Sequence, residues 1–134
     1  VLCASPQYLE VHGKPDHPRD LAAHPVFAYS YWSTGTDWTF RGPEGGATVR
    51  VSPRIYTNSG DTCRTAALQH QGITMQPDFL VGADLQRGAL VELMPGYRAI
   101  ELGVFAVYAT RKHLAMKTRR LIDFLIAASA SPVW

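Results

Sequence analysis

The residues of this 134-residue chain that could do chemistry are few: five histidines, two cysteines, and scattered acids and hydroxyls. His12, His17 and His24, with Asp16 and Asp20 between them, are the densest group of metal-ligand types. Their spacing matches neither a helical i, i+4 ligand pair nor a finger pattern, so they read as loop histidines. Ser59 stands in Asn58-Ser59-Gly60-Asp61 with His70 downstream, which puts a hydroxyl and a base in one segment. A hydrolase elbow needs G-x-S-x-G after a strand, whereas helix capping accounts for both Asn58 and Ser59. Cys63 falls at a core-facing helical position, where a thiol acts as a small hydrophobe. Gly42 to Gly46 would cradle a phosphate only if a helix followed directly. Alternating strand residues follow instead, so the run reads as a hairpin tip. The acids are spread one per element and form no acid–base pair. The expectation is a protein that is not an enzyme, with no catalytic residue, no metal and no cofactor.

What survives is a set of groups suited to holding a ligand without transforming it. Ser30, Tyr31, Trp32, Ser33 and Thr34 follow a buried strand, where open α/β sheets place their ligand crevice. Asn58 and Ser59 open a helix, and the free N–H groups there favour an anion such as a carboxylate. Thr74-Met75-Gln76-Pro77 is a second strand-to-helix joint with polar side chains. Hydroxyls and amides would orient a small molecule, and Tyr31 and Trp32 would give it area.

The elements that must position these groups alternate. Short strands are expected at Val1–Ala4, Val26–Tyr31, Arg54–Thr57, Ile73–Met75 and Leu90–Leu93. A hairpin runs from Asp37–Arg41 to Ala47–Pro53. Helices are expected from the Ser5 cap to Val11, over Pro18–Ala22 as a single turn, from Asn58 or Ser59 to about Gln71, over Pro77–Leu85, and over Leu114–Ala130. Glu101–Thr110 is the longest strand candidate. The alternation argues for a layered α/β fold. Apolar residues at 46% and charged residues at 18% exclude a disordered segment, and no apolar run approaches a membrane span. Two cysteines, Cys3 and Cys63, make no disulfide framework and point to a reducing compartment. Net charge is +2, but residues 1–110 carry 8 basic and 10 acidic side chains and residues 111–134 carry 5 and 1. A near-neutral body with one short basic stretch and no interleaved aromatics is a weak footprint for nucleic acid.

The order of several segments is more specific than any one of them. Ala4-Ser5-Pro6-Gln7-Tyr8-Leu9, His17-Pro18-Arg19-Asp20-Leu21-Ala22-Ala23-His24 and Trp38-Thr39-Phe40 come first. Asn58-Ser59-Gly60-Asp61, Ala66-Ala67-Leu68-Gln69-His70-Gln71-Gly72-Ile73 and Pro77-Asp78-Phe79-Leu80-Val81 follow. Asp84-Leu85-Gln86-Arg87-Gly88-Ala89-Leu90-Val91, Val107-Tyr108-Ala109, Arg111-Lys112-His113-Leu114 and Arg120-Leu121-Ile122-Asp123-Phe124-Leu125 complete the run. In this order the chain resembles the C-terminal effector-binding, or substrate-binding, domain of LysR-type transcriptional regulators, in truncated form.

The resemblance implies an α/β three-layer sandwich like that of type II periplasmic binding proteins. One subdomain would be complete and the other represented by its C-terminal part. Residues 1–95 would be the second effector-binding subdomain with the first hinge strand. Residues 96–134 would be the return hinge strand and C-terminal helix of the first. It also implies a bacterial, cytoplasmic regulator that binds a small anionic metabolite in an inter-subdomain cleft. DNA binding by an N-terminal winged helix-turn-helix, which has no counterpart in these residues, would respond. Ser30, Tyr31, Trp32, Ser33, Asn58, Thr74, Gln76 and Tyr108 are the expected ligand-binding residues. Expected partners are the effector, operator DNA only through the missing domain, and further copies of the chain, with no membrane. Residues 97–134 are expected to dock on another copy or to repack on residues 5–95. The alternative is a fragment of a periplasmic-type solute-binding protein.

Overall fold

The computed structural model describes the whole chain apart from residues 33, 100, 104, 106, 108–114 and 130–134. It divides into two units, Val1–Glu101 and Leu102–Trp134.

The first unit is built on a five-stranded sheet. Its strands are β1 (Leu2–Ala4), β2 (Val26–Tyr29), β5 (Pro53–Thr57), β6 (Ile73–Met75) and β7 (Val91–Glu92), in spatial order β5-β2-β6-β1-β7. β2 runs parallel to both β5 and β6, while β1 is antiparallel to β6 and β7. A second sheet is the hairpin of β3 (Asp37–Gly42) and β4 (Gly45–Arg50). The helices are α1 (Pro6–His12), α2 (Gly60–Leu68) and α3 (Asp78–Gln86), with a 3-10 turn over Pro18–Ala23.

Strand alternation sorts the apolar side chains into two cores. Leu2, Ala4, Val26, Ala28, Ile73 and Met75 face one way and pack with Tyr8 of α1, Leu21 of the 3-10 turn, and Trp38, Phe40 and Val49 of the hairpin. Cys3 faces the other way, with Ala67 of α2, Val81 of α3 and Leu90. The result is three layers: α2 and α3, the five-stranded sheet, then α1, the 3-10 turn and the hairpin. This is the expected sandwich. Full burial of large apolar side chains such as Phe27, Leu21 and Ile73 contributes roughly 2–3 kcal/mol each, which is what holds layers connected by such short strands.

Local chemistry sets the boundaries. Ser5 Oγ accepts from the Tyr8 N–H with Pro6 in the first turn, and Gly13 ends α1 at φ 81°. His17 and Asp20 form a capping box on the 3-10 turn. β2 stops at Tyr29, two residues before its expected end, because Trp32 N–H turns back to the Tyr29 carbonyl. The hairpin tip is shorter than expected. Gly42 pairs with Gly45, so only Pro43 and Glu44 lie outside the ladder. β4 ends at Arg50, and Pro53 already belongs to β5.

In the second unit α4 spans Met116–Ser129. Much of the expected strand over Glu101–Thr110 lies outside the described residues. Its described members (Glu101, Leu102, Gly103, Phe105 and Val107) are assigned to no strand, which corrects the expectation there. Their apolar composition suits a strand, but a strand exists only where a partner supplies hydrogen bonds. Leu121, Phe124, Leu125 and Ile126 of α4 are exposed. No helix among the described residues is long and apolar enough to cross a membrane.

Candidate ligand-binding site

The parallel strands β5, β2 and β6 lie side by side, so their carboxyl ends share one edge of the sheet. Six of the eight expected site residues fall on that edge. Ser30, Tyr31 and Trp32 follow β2, Asn58 follows β5, and Thr74 and Gln76 close β6. Ser33 and Tyr108 lie outside the described residues.

The edge has an open layer and a buried one. In the open layer Ser30 N–H donates to the Thr57 carbonyl at 2.8 Å, which ties the end of β2 to the end of β5. Tyr56 Oη donates to the Ser30 carbonyl at 3.4 Å. Tyr29 meets both Tyr31 and Trp32 edge-on, with centroids 5.5 and 6.0 Å apart, in the favoured T-shaped arrangement. Tyr31 and Asn58 are exposed. Trp32 is half-buried, yet its Nε1 and the Thr34 hydroxyl have no hydrogen-bond partner among the described residues while being shielded from solvent. Trp38 Nε1, in the core, is likewise unpartnered among the described residues. A buried donor left unpaired costs about 1–3 kcal/mol, and of the three only Trp32 Nε1 and Thr34 Oγ1 lie beside the sheet edge.

Beneath lies a closed network. Thr74 and Gln76 are buried, with Gln76 only 2% exposed. Thr74 Oγ1 donates to the Phe27 carbonyl at 3.1 Å, and Gln76 Nε2 donates to Thr74 Oγ1 at 3.1 Å. Two main-chain bonds hold Gln76 beside Val1: its N–H donates to the Val1 carbonyl at 2.9 Å, and its carbonyl accepts from the Val1 amino group at 2.7 Å. A side chain at Gly60 would fall 3.0 Å from Gln76 Oε1 and 2.7 Å from Leu80, so glycine lets the start of α2 approach the network. Thr74 and Gln76 thus lie buried beneath the edge, Ser30 and Trp32 are half-buried at it, and Tyr31 and Asn58 are exposed.

The helix that faces the edge is capped locally. Ser59 Oγ accepts from the Thr62 N–H at 3.2 Å, and Ser59 N–H donates to Thr57 Oγ1 at 3.2 Å. The hydroxyl that resembled a nucleophile is thus spent on capping. Cys63 is fully buried, and burial pushes its thiol up, against smaller lowering effects from hydrogen bonds with Thr74 and Gln76. Burial likewise pushes Cys3 up to about 12. Thiols held in that form are poor nucleophiles. The three N-terminal histidines are also accounted for locally. His12 Nδ1 donates to the Tyr8 carbonyl at 3.1 Å, His17 Nδ1 accepts from the Arg19 N–H at 3.2 Å, and His24 Nδ1 shares a 2.7 Å bond with Tyr8 Oη.

Sequence reasoning missed Tyr29 and Tyr56, which frame Ser30 and Trp32. Strand alternation placed Tyr29 with the buried strand, and nothing in the sequence tied Tyr56 to a residue 26 positions away.

The chain matches the model of the LysR substrate binding domain over residues 1–130. The regulator PtxR of Pseudomonas aeruginosa is 31% identical over 125 residues, covering 93% of this chain and 40% of that protein. DmlR of Escherichia coli is 31% identical over 126 residues, covering 93% and 41%. Both are described as HTH-type transcriptional regulators, and the chain spans about 40% of their length. Among solved structures, the regulatory domain of AphB from Vibrio vulnificus superposes with a TM-score of 0.75 at 27% identity, covering 95% of this chain and 63% of that one. The CrgA regulatory domain from Neisseria meningitidis superposes at 0.74 with 28% identity, covering 94% and 62%. The three layers, their connectivity and these likenesses agree: the chain belongs to the LysR substrate-binding-domain family.

Proposed function

We propose that this chain is the sensing part of a bacterial transcription regulator and holds a small anionic metabolite at the carboxyl edge of β5, β2 and β6. The observation that carries the reading is that two of the three shielded polar atoms without a partner among the described residues, Trp32 Nε1 and Thr34 Oγ1, follow β2 at the Tyr29–Tyr31–Trp32 ring cluster. Ser30 and Asn58 would orient the ligand, Tyr31 and Trp32 would cover it, and Thr74 and Gln76 would fix the floor. Ser33 and Tyr108 belong to the same proposal through the family resemblance. Ser59 takes the Thr62 N–H, and the N–H groups of Gly60 and Asp61 at the start of α2 lack helical acceptors and favour negative charge, against the Asp61 carboxylate.

Binding acts by selection between conformations. A ligand that binds one arrangement of the two subdomains tenfold better shifts their balance by about 1.4 kcal/mol, and a DNA-binding domain joined to them reads the shift. That the named relatives are HTH-type regulators supports this reading over a solute carrier, and none of them is described as an enzyme. Self-association through the exposed apolar residues of α4 is part of the same proposal. Calorimetry on the regulator that carries this domain, against a panel of small organic acids, tests it. At least one acid should bind and change operator affinity. A flat response across the panel with intact operator binding rejects effector sensing.

A further inference from the structure

The outer face of β3 carries a second feature, and none of its residues belongs to the cleft above. Trp38 and Phe40 point into the core, so Thr39 and Arg41 point outward. Beyond β3, on the side away from β4, the chain returns at Tyr97–Ala99. Arg41 and Arg98 exchange both main-chain bonds, each N–H···O at 2.8 Å. Residues opposed in this way stand about 5.5 Å apart at Cα with side chains on the same face. The backbone thus roots two arginine side chains next to each other on one face. The segment is anchored, since Tyr97 packs over Gly42, where a Cβ would meet its ring at 2.3 Å, and meets His17 edge-on at 5.3 Å.

Like charges directly opposed across a ladder are unfavourable. Three other arginines of this unit show how such charge can be closely met, whereas Arg19 has only a 3.9 Å pair with Asp20. Arg50 makes a fork to Asp37 at 2.8 and 3.0 Å, and Arg64 and Arg87 both bind Asp84. Arg41 has no ion pair among the described residues. Arg98 has only Glu101, at 3.8 Å, with both side chains more than 80% exposed. Thr39, Arg41, Arg98, Ala99 and Glu101 line a depression of about 540 Å³. A charge repulsion built by the backbone, met only by one long-range, exposed carboxylate and set on a concave surface, is an arrangement that an external anion can complete.

We propose that Arg41 and Arg98 form a binding site for a small phosphate-type oxyanion. A single guanidinium fork satisfies one carboxylate, whereas a tetrahedral dianion can accept a fork from each of two arginines.

The test uses the 134-residue chain and inorganic phosphate, titrated at constant ionic strength because exposed charges are screened by salt. Arginine Nε–Hε resonances are followed by NMR and thermal stability is measured in parallel. Arg41 and Arg98 signals should move together and saturably, while those of Arg50 stay fixed. Arg41→Gln and Arg98→Gln should each weaken binding about tenfold, the loss of one charge-assisted contact. Without phosphate each variant should melt at a higher temperature than the parent, because the repulsion is gone. With phosphate the parent should gain more than either variant. Non-saturating shifts, or equal phosphate stabilisation of parent and variants, overturn the proposal. So does a short DNA duplex that moves these signals when inorganic phosphate does not, which would assign the pair to a polyanion instead. Variants that melt lower without phosphate also overturn it, because the pair would then be structural.

Discussion

Asp84 links the two helices on one face of the sheet, and removing it has a calculable cost. The side chain is 1% exposed, and its carboxylate accepts Arg64 Nη2 at 3.0 Å and Arg87 Nη2 at 2.6 Å, with Arg64 Nε closer still. Arg64 lies on α2 and is 30% exposed; Arg87 follows α3 and is 61% exposed. Breaking a buried ion pair by deleting one partner costs about 3–5 kcal/mol when the survivor is stranded. In Asp84→Asn both surviving arginines reach water, so the cost falls to about 2–3 kcal/mol, the lost charge-assisted bonds. In Arg64→Ala the buried carboxylate keeps only the outlying Arg87, and the cost is about 3 kcal/mol or more. Arg87→Ala costs about 1 kcal/mol, as for a mostly exposed pair.

Urea unfolding at pH 7 gives the order: Arg64→Ala costs most, Asp84→Asn next, Arg87→Ala least. The pH dependence has a defined sign. The Arg64 hydrogen bond, aided by Arg87, holds the Asp84 carboxyl below its ordinary value. Its stabilisation is complete above the unfolded value, about 3.9, and is lost as pH falls through the lower native value. The penalty of Asp84→Asn must therefore shrink in that acid window. Equal costs for the three variants, or a penalty that holds constant into strong acid, would refute this account of the cluster.

Gly72→Ala should cost about 3 kcal/mol in the same assay, because the backbone sits at φ 154° and a Cβ would lie 2.3 Å from the Pro25 carbonyl oxygen. Gly96→Ala, with open space around it, should change stability by less than about 0.5 kcal/mol. Ser59→Ala should lose about 1 kcal/mol with the cap of α2, and Ser59→Asp should restore most of it. Burial, with the His12 charge second, holds His24 below its ordinary value, and Asp20 acts the other way. The folded chain therefore favours neutral His24. That stabilisation is full above about pH 6.5 and is lost as pH falls through the native value. His24→Asn should accordingly flatten the loss of stability between neutral and mildly acid pH seen by thermal unfolding.

Much of the fold was legible because its signals are local. Ser5-Pro6 and Gly13 bracket α1, and Gly72 separates α2 from β6. The alternation in Leu2–Ala4 and Ile73–Met75 decided which core each residue enters. The strand expected over Glu101–Thr110 is not seen at its described members, since apolar composition proposes a strand but only a hydrogen-bonding neighbour makes one. The site was legible to the level of an edge. Strand-to-helix joints gave Ser30 to Trp32, Asn58, Thr74 and Gln76. Depth was not legible, because burial of Thr74 and Gln76 depends on how closely α2 approaches, and that is set by Gly60. The Arg41–Arg98 pair, 57 positions apart, is a product of the register of a single main-chain bridge.

The central claim is that the carboxyl edge of β5, β2 and β6 holds a small anionic metabolite. The most direct measurement is amide chemical-shift mapping of the 134-residue chain titrated with a panel of small organic acids. The account predicts that at least one acid gives saturable shifts concentrated at Ser30–Thr34 and Asn58–Thr62, together with the Trp32 indole, and that Tyr31→Ala weakens them. Shifts confined to other faces of the sheet, or no saturable response from any acid, would contradict it.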